Sequence, residues 1–198
     1  MLLASALSSL IPHHYQSLEA CILVNLRRWL PGSLIDTEGM GVFIDAFSQY
    51  YTGSALSSFT WAEARRSKAM INAYLQTGSQ KVNVAKLGMV SDMPEFFLGK
   101  VGKERGSSFD VSNLGGLADG EGGNWRMGKM VFSRSDFVTG SAFSTGAVTG
   151  PDGCLVFGFV WQDGVVEEEL MMGVIEKVRC EIEGLAREKS AVINELSS

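Results

Sequence analysis

Residues 107–116 carry the side chains in this sequence that are best suited to chemistry. They read Ser-Ser-Phe-Asp-Val-Ser-Asn-Leu-Gly-Gly, and Phe109 and Val111 alternate with polar neighbours as in a strand. Ser112-Asn113 followed by glycine predicts that this strand ends in a turn. A hydroxyl and a carboxamide at a strand end can donate hydrogen bonds to a developing oxyanion. The simpler interpretation from the residues alone is that Asn113 and the glycines only form the turn.

Few other polar side chains are candidates for a site. Arg27 and Arg28 follow an apolar stretch; a solvated strand end accounts for them, and a phosphate contact is the functional alternative. His13 and His14 fall in a linker, which favours surface histidines. Asp45 lies in an apolar neighbourhood, and we expect it to be paired or at a sheet edge rather than catalytic.

Composition limits the class of protein. The chain has 198 residues, of which 45% are hydrophobic, and this predicts one globular domain. The net charge is −5 without a long basic run, which argues against a nucleic-acid partner. The odd set of three distant cysteines favours a reducing, cytoplasmic setting, and the absence of a Cys-x-x-Cys pair argues against a metal site. No apolar run reaches the length of a membrane span.

The pattern of apolar and turn residues predicts one domain over 1–198, with a leading helix and linker over 2–18 and a frayed tail over 190–198. Helices are expected at 2–11, 61–76, 94–101 and 165–188, and strands at 19–27, 41–51, 109–114, 125–134, 140–149 and 153–161. Residues 81–90 remain ambiguous between helix and strand. We expect an α/β (α+β) two-layer sandwich, in which a mixed, mainly antiparallel sheet is covered by helices.

Three segments carry a family resemblance. Phe-Asp-Val-Ser-Asn-Leu-Gly at 109–115 resembles the Phe-Thr-Ile-Ser-Asn-Leu-Gly strand of dihydrolipoyl acyltransferases, which share a fold with chloramphenicol acetyltransferase, peptide-synthetase condensation domains and plant BAHD acyltransferases. Within this superfamily the chain most resembles the fungal alcohol acetyltransferase family, associated with secondary metabolism. The other matching segments are 20–31 and 148–153, and the resemblance covers nearly the whole chain.

The resemblance implies acyl transfer from acetyl-CoA or another acyl-CoA to an alcohol. In that superfamily the histidine of a His-x-x-x-Asp motif is the general base, and a hydroxyl on the Ser-Asn-Leu-Gly strand stabilises the oxyanion; here that hydroxyl matches Ser112, with Asn113 beside it. This chain has no such motif, because Ser17 and Leu18 stand four places after its two histidines. Trp161 and Gln162 stand where single-domain members carry their histidine.

The resemblance therefore implies the C-terminal half of an alcohol acetyltransferase-like protein, inactive without a chain that supplies the histidine. It further implies that Phe143, Trp161 and Gln162 contact substrate, and that Arg27 and Arg28 contact a phosphate of coenzyme A. An exposed apolar patch near Trp161, Phe143 and the Ser112 strand end would meet an N-terminal half or a second copy. The alternative is a non-catalytic module, derived from the same fold, that binds a ligand or a protein partner.

Overall fold

Five strands form one sheet in the order β2-β1-β3-β4-β5. The computed structural model describes residues 1–12, 15–27, 41, 43–56, 58–76, 83–119, 123–135 and 138–196. The strands are β1 (Ser17–Asn25), β2 (Ile44–Thr52), β3 (Phe109–Gly116), β4 (Phe143–Thr149) and β5 (Leu155–Trp161).

The sheet is mixed, as predicted. β1–β2 and β4–β5 are antiparallel, whereas β3 is parallel to both of its neighbours, β1 and β4. Two of the four strand pairings are antiparallel, and they form the two longest ladders of the described sheet. β3 can lie parallel to β4 because the connection over residues 117–142 is long enough for the crossover that a parallel pair requires.

The helices are α1 (Leu2–Ser8), α2 (Trp61–Gln76), α3 (Asn83–Leu87), α4 (Met93–Leu98) and α5 (Glu168–Leu196). The predicted bounds of α2 are confirmed, and the Glu63 amide donates to the Thr60 hydroxyl oxygen at its start (3.2 Å). α5 continues past its predicted end at residue 188 and includes most of the expected tail. None of the helices described here could cross a lipid bilayer.

The core lies between one face of the sheet and the helices, which confirms the two-layer sandwich. We call this side of the sheet the helix face. Met171, Val174 and Val178 of α5 are at most 3% exposed and pack against it. Buried side chains of α1 and of the strands complete the core, among them Leu3, Leu7, Leu18, Ala20, Tyr51, Phe109 and Phe143.

The other side of the sheet, the open face, is partly covered by residues 123–135, which we call the covering segment. The prediction of a strand at 125–134 is wrong, because these residues form no backbone pairing with the described sheet. Their burial nevertheless alternates from Met130 to Ser135. The segment is therefore extended and one-sided, but it lies over the sheet and not within it.

Paired glycines let the covering segment approach the sheet closely. Gly146 of β4 and Gly158 of β5 are direct partners. A Cβ at Gly146 would lie 2.7 Å from the Phe132 carbonyl oxygen, and one at Gly158 would lie 2.8 Å from the same atom. Both distances are shorter than van der Waals contact, so the segment can occupy this position only because neither residue has a side chain.

We expect Gly146→Ala to displace the covering segment and to lower the free energy of unfolding by about 1–3 kcal/mol, as overpacking does. Chemical denaturation followed by circular dichroism measures this loss. Gly184→Ala in α5 is the matched control, because a Cβ there meets open space. Alanine is the better helix former, so the control should gain up to about 1 kcal/mol. Equal effects of the two substitutions would contradict the close approach.

Candidate functional site

The two adjacent candidates, Ser112 and Asn113, lie on opposite faces of β3. Successive side chains of a strand alternate in direction. Phe109 is buried in the core on the helix face, and Asp110 pairs with Arg134 of the covering segment on the open face. Ser112 therefore shares the open face with Asp110, whereas Asn113 lines a cleft on the helix face. The two residues are adjacent in sequence, but their side chains point to opposite faces of the sheet. They therefore cannot both donate hydrogen bonds to the same oxyanion.

Asn113 is engaged in the turn. Its Oδ1 accepts a hydrogen bond from the Gly115 amide (2.8 Å), and Gly115 has a φ of +76° that favours glycine. The register of β3 against β4 shifts between Asn113 and Gly116. For Asn113, the turn interpretation of the sequence accounts for what the structure shows.

Ser112 occupies a more sheltered position. It is half-buried and lies between Leu23 of β1 and Gly146 of β4. The ring and carbonyl of Phe132 cover Gly146. The hydroxyl of Ser112 therefore stands beside the wall that the covering segment forms on the open face.

A buried ion pair anchors that wall. The Asp110 carboxylate forms a salt bridge with the Arg134 guanidinium and accepts a hydrogen bond from the Ser144 hydroxyl (2.8 Å). Asp110 and Ser144 are 4% and 1% exposed. Cys21 is the β1 partner of Asp110, and burial raises the pKa of its thiol. Sequence reasoning did not single out Asp110, although a carboxylate between two apolar strand positions is a signal of a buried partner.

Phe143 and Trp161 lie at one end of the sheet, at the start of β4 and the end of β5, whereas Ser112 lies in the middle of β3. Phe143 is 1% exposed and stacks on Phe109 (centroids 5.6 Å apart, rings 18° from parallel). It is therefore a core residue of the described structure, and its expected contact with substrate stays a prediction. Trp161 is the β5 partner of Phe143 and is half-buried. Phe109 precedes Ser112 by three residues, about 10 Å along a strand, and the buried Phe143 adds no exposed surface to the apolar patch predicted at these residues.

Gln162 takes part in a structural contact. The Arg105 guanidinium donates to its Oε1 (3.3 Å) and to the Ser141 carbonyl oxygen (2.8 Å). The hydroxyls of Ser107 and Ser141 are also within hydrogen-bond distance (2.6 Å). At the place where the resemblance would put a histidine, Arg105 thus joins the loop before β3 to the start of β4 and the end of β5.

The arginine candidate that the structure describes is engaged locally. The Arg27 guanidinium donates to the Gly41 carbonyl oxygen (3.2 Å) and lies 4.8 Å from the centre of the Phe43 ring. These contacts hold Arg27 beside the end of β1. Arg28, His13 and His14 lie outside the described residues.

Asp45 is paired and lies on the edge strand β2, as predicted. Its carboxylate accepts hydrogen bonds from the Tyr74 hydroxyl and from the backbone amides of Asn83 (3.0 Å) and Val84 (2.9 Å). It thereby joins β2 to α2 and caps α3. Burial and the neighbouring Asp45 carboxylate raise the pKa of Tyr74 to about 12.

Two curated relatives share sequence with this chain. A probable alcohol acetyltransferase of Aspergillus fumigatus is 33% identical over 190 residues, which cover 88% of the chain and 41% of that protein. Over most of its length the chain is thus similar to part of an acyltransferase-like protein. A probable alcohol acetyltransferase of Fusarium pseudograminearum is 25% identical over 174 residues, covering 83% of the chain and 36% of that protein. The chain therefore spans less than half the length of the relatives it matches, and no family model matches it.

A solved structure confirms the fold. The epimerization domain from the third module of tyrocidine synthetase B superposes with a TM-score of 0.55 at 12% identity, over 94% of this chain and 41% of that one. At this identity the likeness concerns the fold alone. The mixed sheet with its helix layer is thus the architecture of a part of that larger domain.

We expect Arg134→Met to cost about 3–5 kcal/mol of unfolding free energy, because it leaves a buried carboxylate without its counterion. Denaturation of the variant by urea measures the loss. The double variant Asp110→Asn with Arg134→Met should recover much of it, since the uncompensated charge is then gone.

Arg66→Met is the control for an exposed pair. Arg66 and Glu63 also form a salt bridge (2.7 Å), but their side chains are 44% and 27% exposed. Solvent screens such pairs, so we expect a loss below about 1 kcal/mol. If Arg134→Met cost no more than Arg66→Met, the ion pair would not anchor the covering segment.

The raised pKa of Tyr74 predicts a loss of stability in alkali. An unfolded tyrosine ionises near pKa 10, whereas Tyr74 in the fold ionises at about 12. Its contribution to stability is therefore complete below about pH 10 and is lost as the pH rises from about 10 to 12, where the unfolded chain releases its proton first. Tyr74→Phe should flatten the decline of stability over this interval. Parallel stability curves for the two proteins would show that Tyr74 titrates normally.

Proposed function

We propose that this chain is the C-terminal half of a CoA-dependent O-acyltransferase, which passes an acyl group from acyl-CoA to an alcohol. The similarity to two probable alcohol acetyltransferases supports the type of reaction. The observation that carries the assignment of a site is the position of Ser112. It is the hydroxyl of the Ser-Asn-Leu-Gly motif, and it lies on the central strand, on the face that the helices leave open.

The proposed role of Ser112 is to stabilise charge. As the alcohol oxygen attacks the thioester carbonyl, the carbonyl oxygen becomes an oxyanion, and the Ser112 hydroxyl donates a hydrogen bond to it. Collapse of the tetrahedral species breaks the carbon–sulfur bond and releases coenzyme A as the thiol, with the proton that the base took from the alcohol. The fixed β3 backbone holds the donor in place before the reaction begins.

The base in this proposal comes from a complementary chain that carries His-x-x-x-Asp. The 198 residues contain no such motif, and an alcohol is a poor nucleophile near neutral pH without a positioned base. The two parts would meet over the open face, where Ser112 lies beside the covering segment. Acyl-CoA is then a co-substrate bound by the complete site.

We expect the chain alone to show no transfer from acetyl-CoA to isoamyl alcohol above background, measured as thiol release. With a complementary chain that restores turnover, Ser112→Ala should lower kcat by on the order of 10²–10³, the typical effect of one lost oxyanion donor. Asn113→Ala is the matched control and should retain most of the activity, since its side chain lies on the other face.

Two results would contradict this proposal. Turnover by the lone chain that is lost in His13→Ala or His14→Ala would mean that this chain supplies its own base. In the complemented enzyme, a larger loss from Asn113→Ala than from Ser112→Ala would place the reaction on the helix face.

A further inference from the structure

A cleft of about 510 Å³ opens on the helix face, between the sheet and the helices. Its floor is formed by β1 and β3, and its walls by α2, by the first residues of the chain at the start of α1, and by Val178 of α5. The side chains that define it are apolar and come from both layers: Ile22, Val24, Val111, Ala64, Ile71 and Val178. Its size lies within the range of small-molecule sites, which hold about 300–1,000 Å³.

The cleft arises from the way α2 is attached. The contacts of α2 with the sheet are made to β2, by Tyr74 with Asp45 and Phe47 and by Ser67 with Gln49. α5 packs on the opposite side through Met171, Val174 and Val178. Between α2 and α5, part of the helix face of the middle strands β1 and β3 is thus left uncovered. Protein interiors are otherwise close-packed, so an apolar gap of this size is a feature that a ligand can fill.

Polar groups stand along one wall of the cleft. Ser67, Lys68 and Asn72 belong to α2, and Asn113 lies at the end of the floor. Lys68 is the one charged side chain among the described residues that line the cleft. The α-amino group of Met1 also lies there and donates to the Tyr51 hydroxyl (3.1 Å), and burial lowers its pKa to about 6, so that near neutral pH Lys68 is the main cation. An apolar trough with a cation and carboxamide groups beside it is complementary to a molecule with an apolar body and one anionic head.

The apolar surface continues past α5. A second cleft of about 350 Å³ lies between β5 and α5 and shares Phe157 and Val178 with the first. Its other walls include Phe159, Ile175 and Ile182. A chain too long for the first cleft would therefore find further apolar surface at its far end.

We propose that the cleft binds an anionic amphiphile, such as a medium-chain alkyl carboxylate. The alkyl chain lies on β1 and β3 between α2 and α5, and the carboxylate lies near Lys68. This site is separate from the proposed acyl transfer, because it occupies the face of the sheet opposite to Ser112. Its failure would leave the transferase proposal untouched, and the reverse also holds.

Isothermal titration of the 198-residue chain with decanoate, below the concentration at which micelles form, tests the site. We expect saturable binding of one molecule per chain, with weaker binding of decanol and the weakest binding of decyltrimethylammonium. Ala64→Phe fills the cleft and should weaken decanoate binding more than tenfold. Ala62→Phe on the exposed side of the same helix should leave it unchanged.

The head group is tested separately. Lys68→Gln should weaken decanoate roughly threefold, as expected for an exposed charge, and added salt should reduce this difference. Arg65→Gln removes the same charge from α2 outside the cleft and should have no effect. Thermal melts establish that each variant is folded, and Ile71→Trp replaces Ala64→Phe should the latter not fold. Absence of saturable binding, binding unchanged by a folded cleft-filling variant, or binding of decanol or the cation as tight as that of decanoate would overturn the proposal.

Discussion

A carboxylate buried on the central strand requires a counterion, and the open face of the sheet is arranged around the residue that supplies it. Asp110 is 4% exposed, and an isolated charge at such a position would cost several kcal/mol. Arg134 supplies the counterion and Ser144 a hydrogen bond. Because Arg134 belongs to the covering segment, neutralising the charge also fixes that segment on the sheet. The surroundings of Ser112 follow from the same interaction.

The glycine pair in β4 and β5 completes this arrangement. The ion pair holds one end of the covering segment, but contact along its length requires that no side chain intervene. Gly146 and Gly158 meet that requirement side by side. Charge and shape thus act on the same segment, although the residues involved are scattered over the second half of the chain.

The elements that could be predicted from sequence are those whose signals are local. The helix α2 begins at a hydroxyl cap and keeps one side toward the sheet, and the turn over residues 150–153 joins β4 and β5 directly, with Gly153 at a φ of +77°. The failure at 125–134 has a physical cause. An alternating pattern indicates that one side of an extended segment is buried. It does not distinguish a strand that pairs within a sheet from an extended segment that lies over the sheet.

The candidate site shows the same division. The motif predicted that Ser112 lies on a strand. The sequence analysis nevertheless treated Ser112 and Asn113 as one pair of donors, although side chains that alternate along a strand point to opposite faces. The roles of Asp110 and Phe143 could not be read in this way. Asp110 depends on a partner far along the chain, and a phenylalanine at a strand start has the same appearance in sequence whether it packs in the core or contacts a substrate.

The parallel position of β3 has a consequence for how the chain folds. β4 and β5 are joined by a tight turn and can pair early. The pairing of Ala20 with Phe109, and of Ser112 with Gly146, joins residues that are far apart in sequence. Pairs so distant in sequence require large loops to close before any contact is gained, which slows folding. Until β3 inserts, β1 and β4 each present an unpaired strand edge. During synthesis β3 emerges before β4. The chain is therefore most prone to associate with other chains in the interval when one edge of β3 has no partner strand.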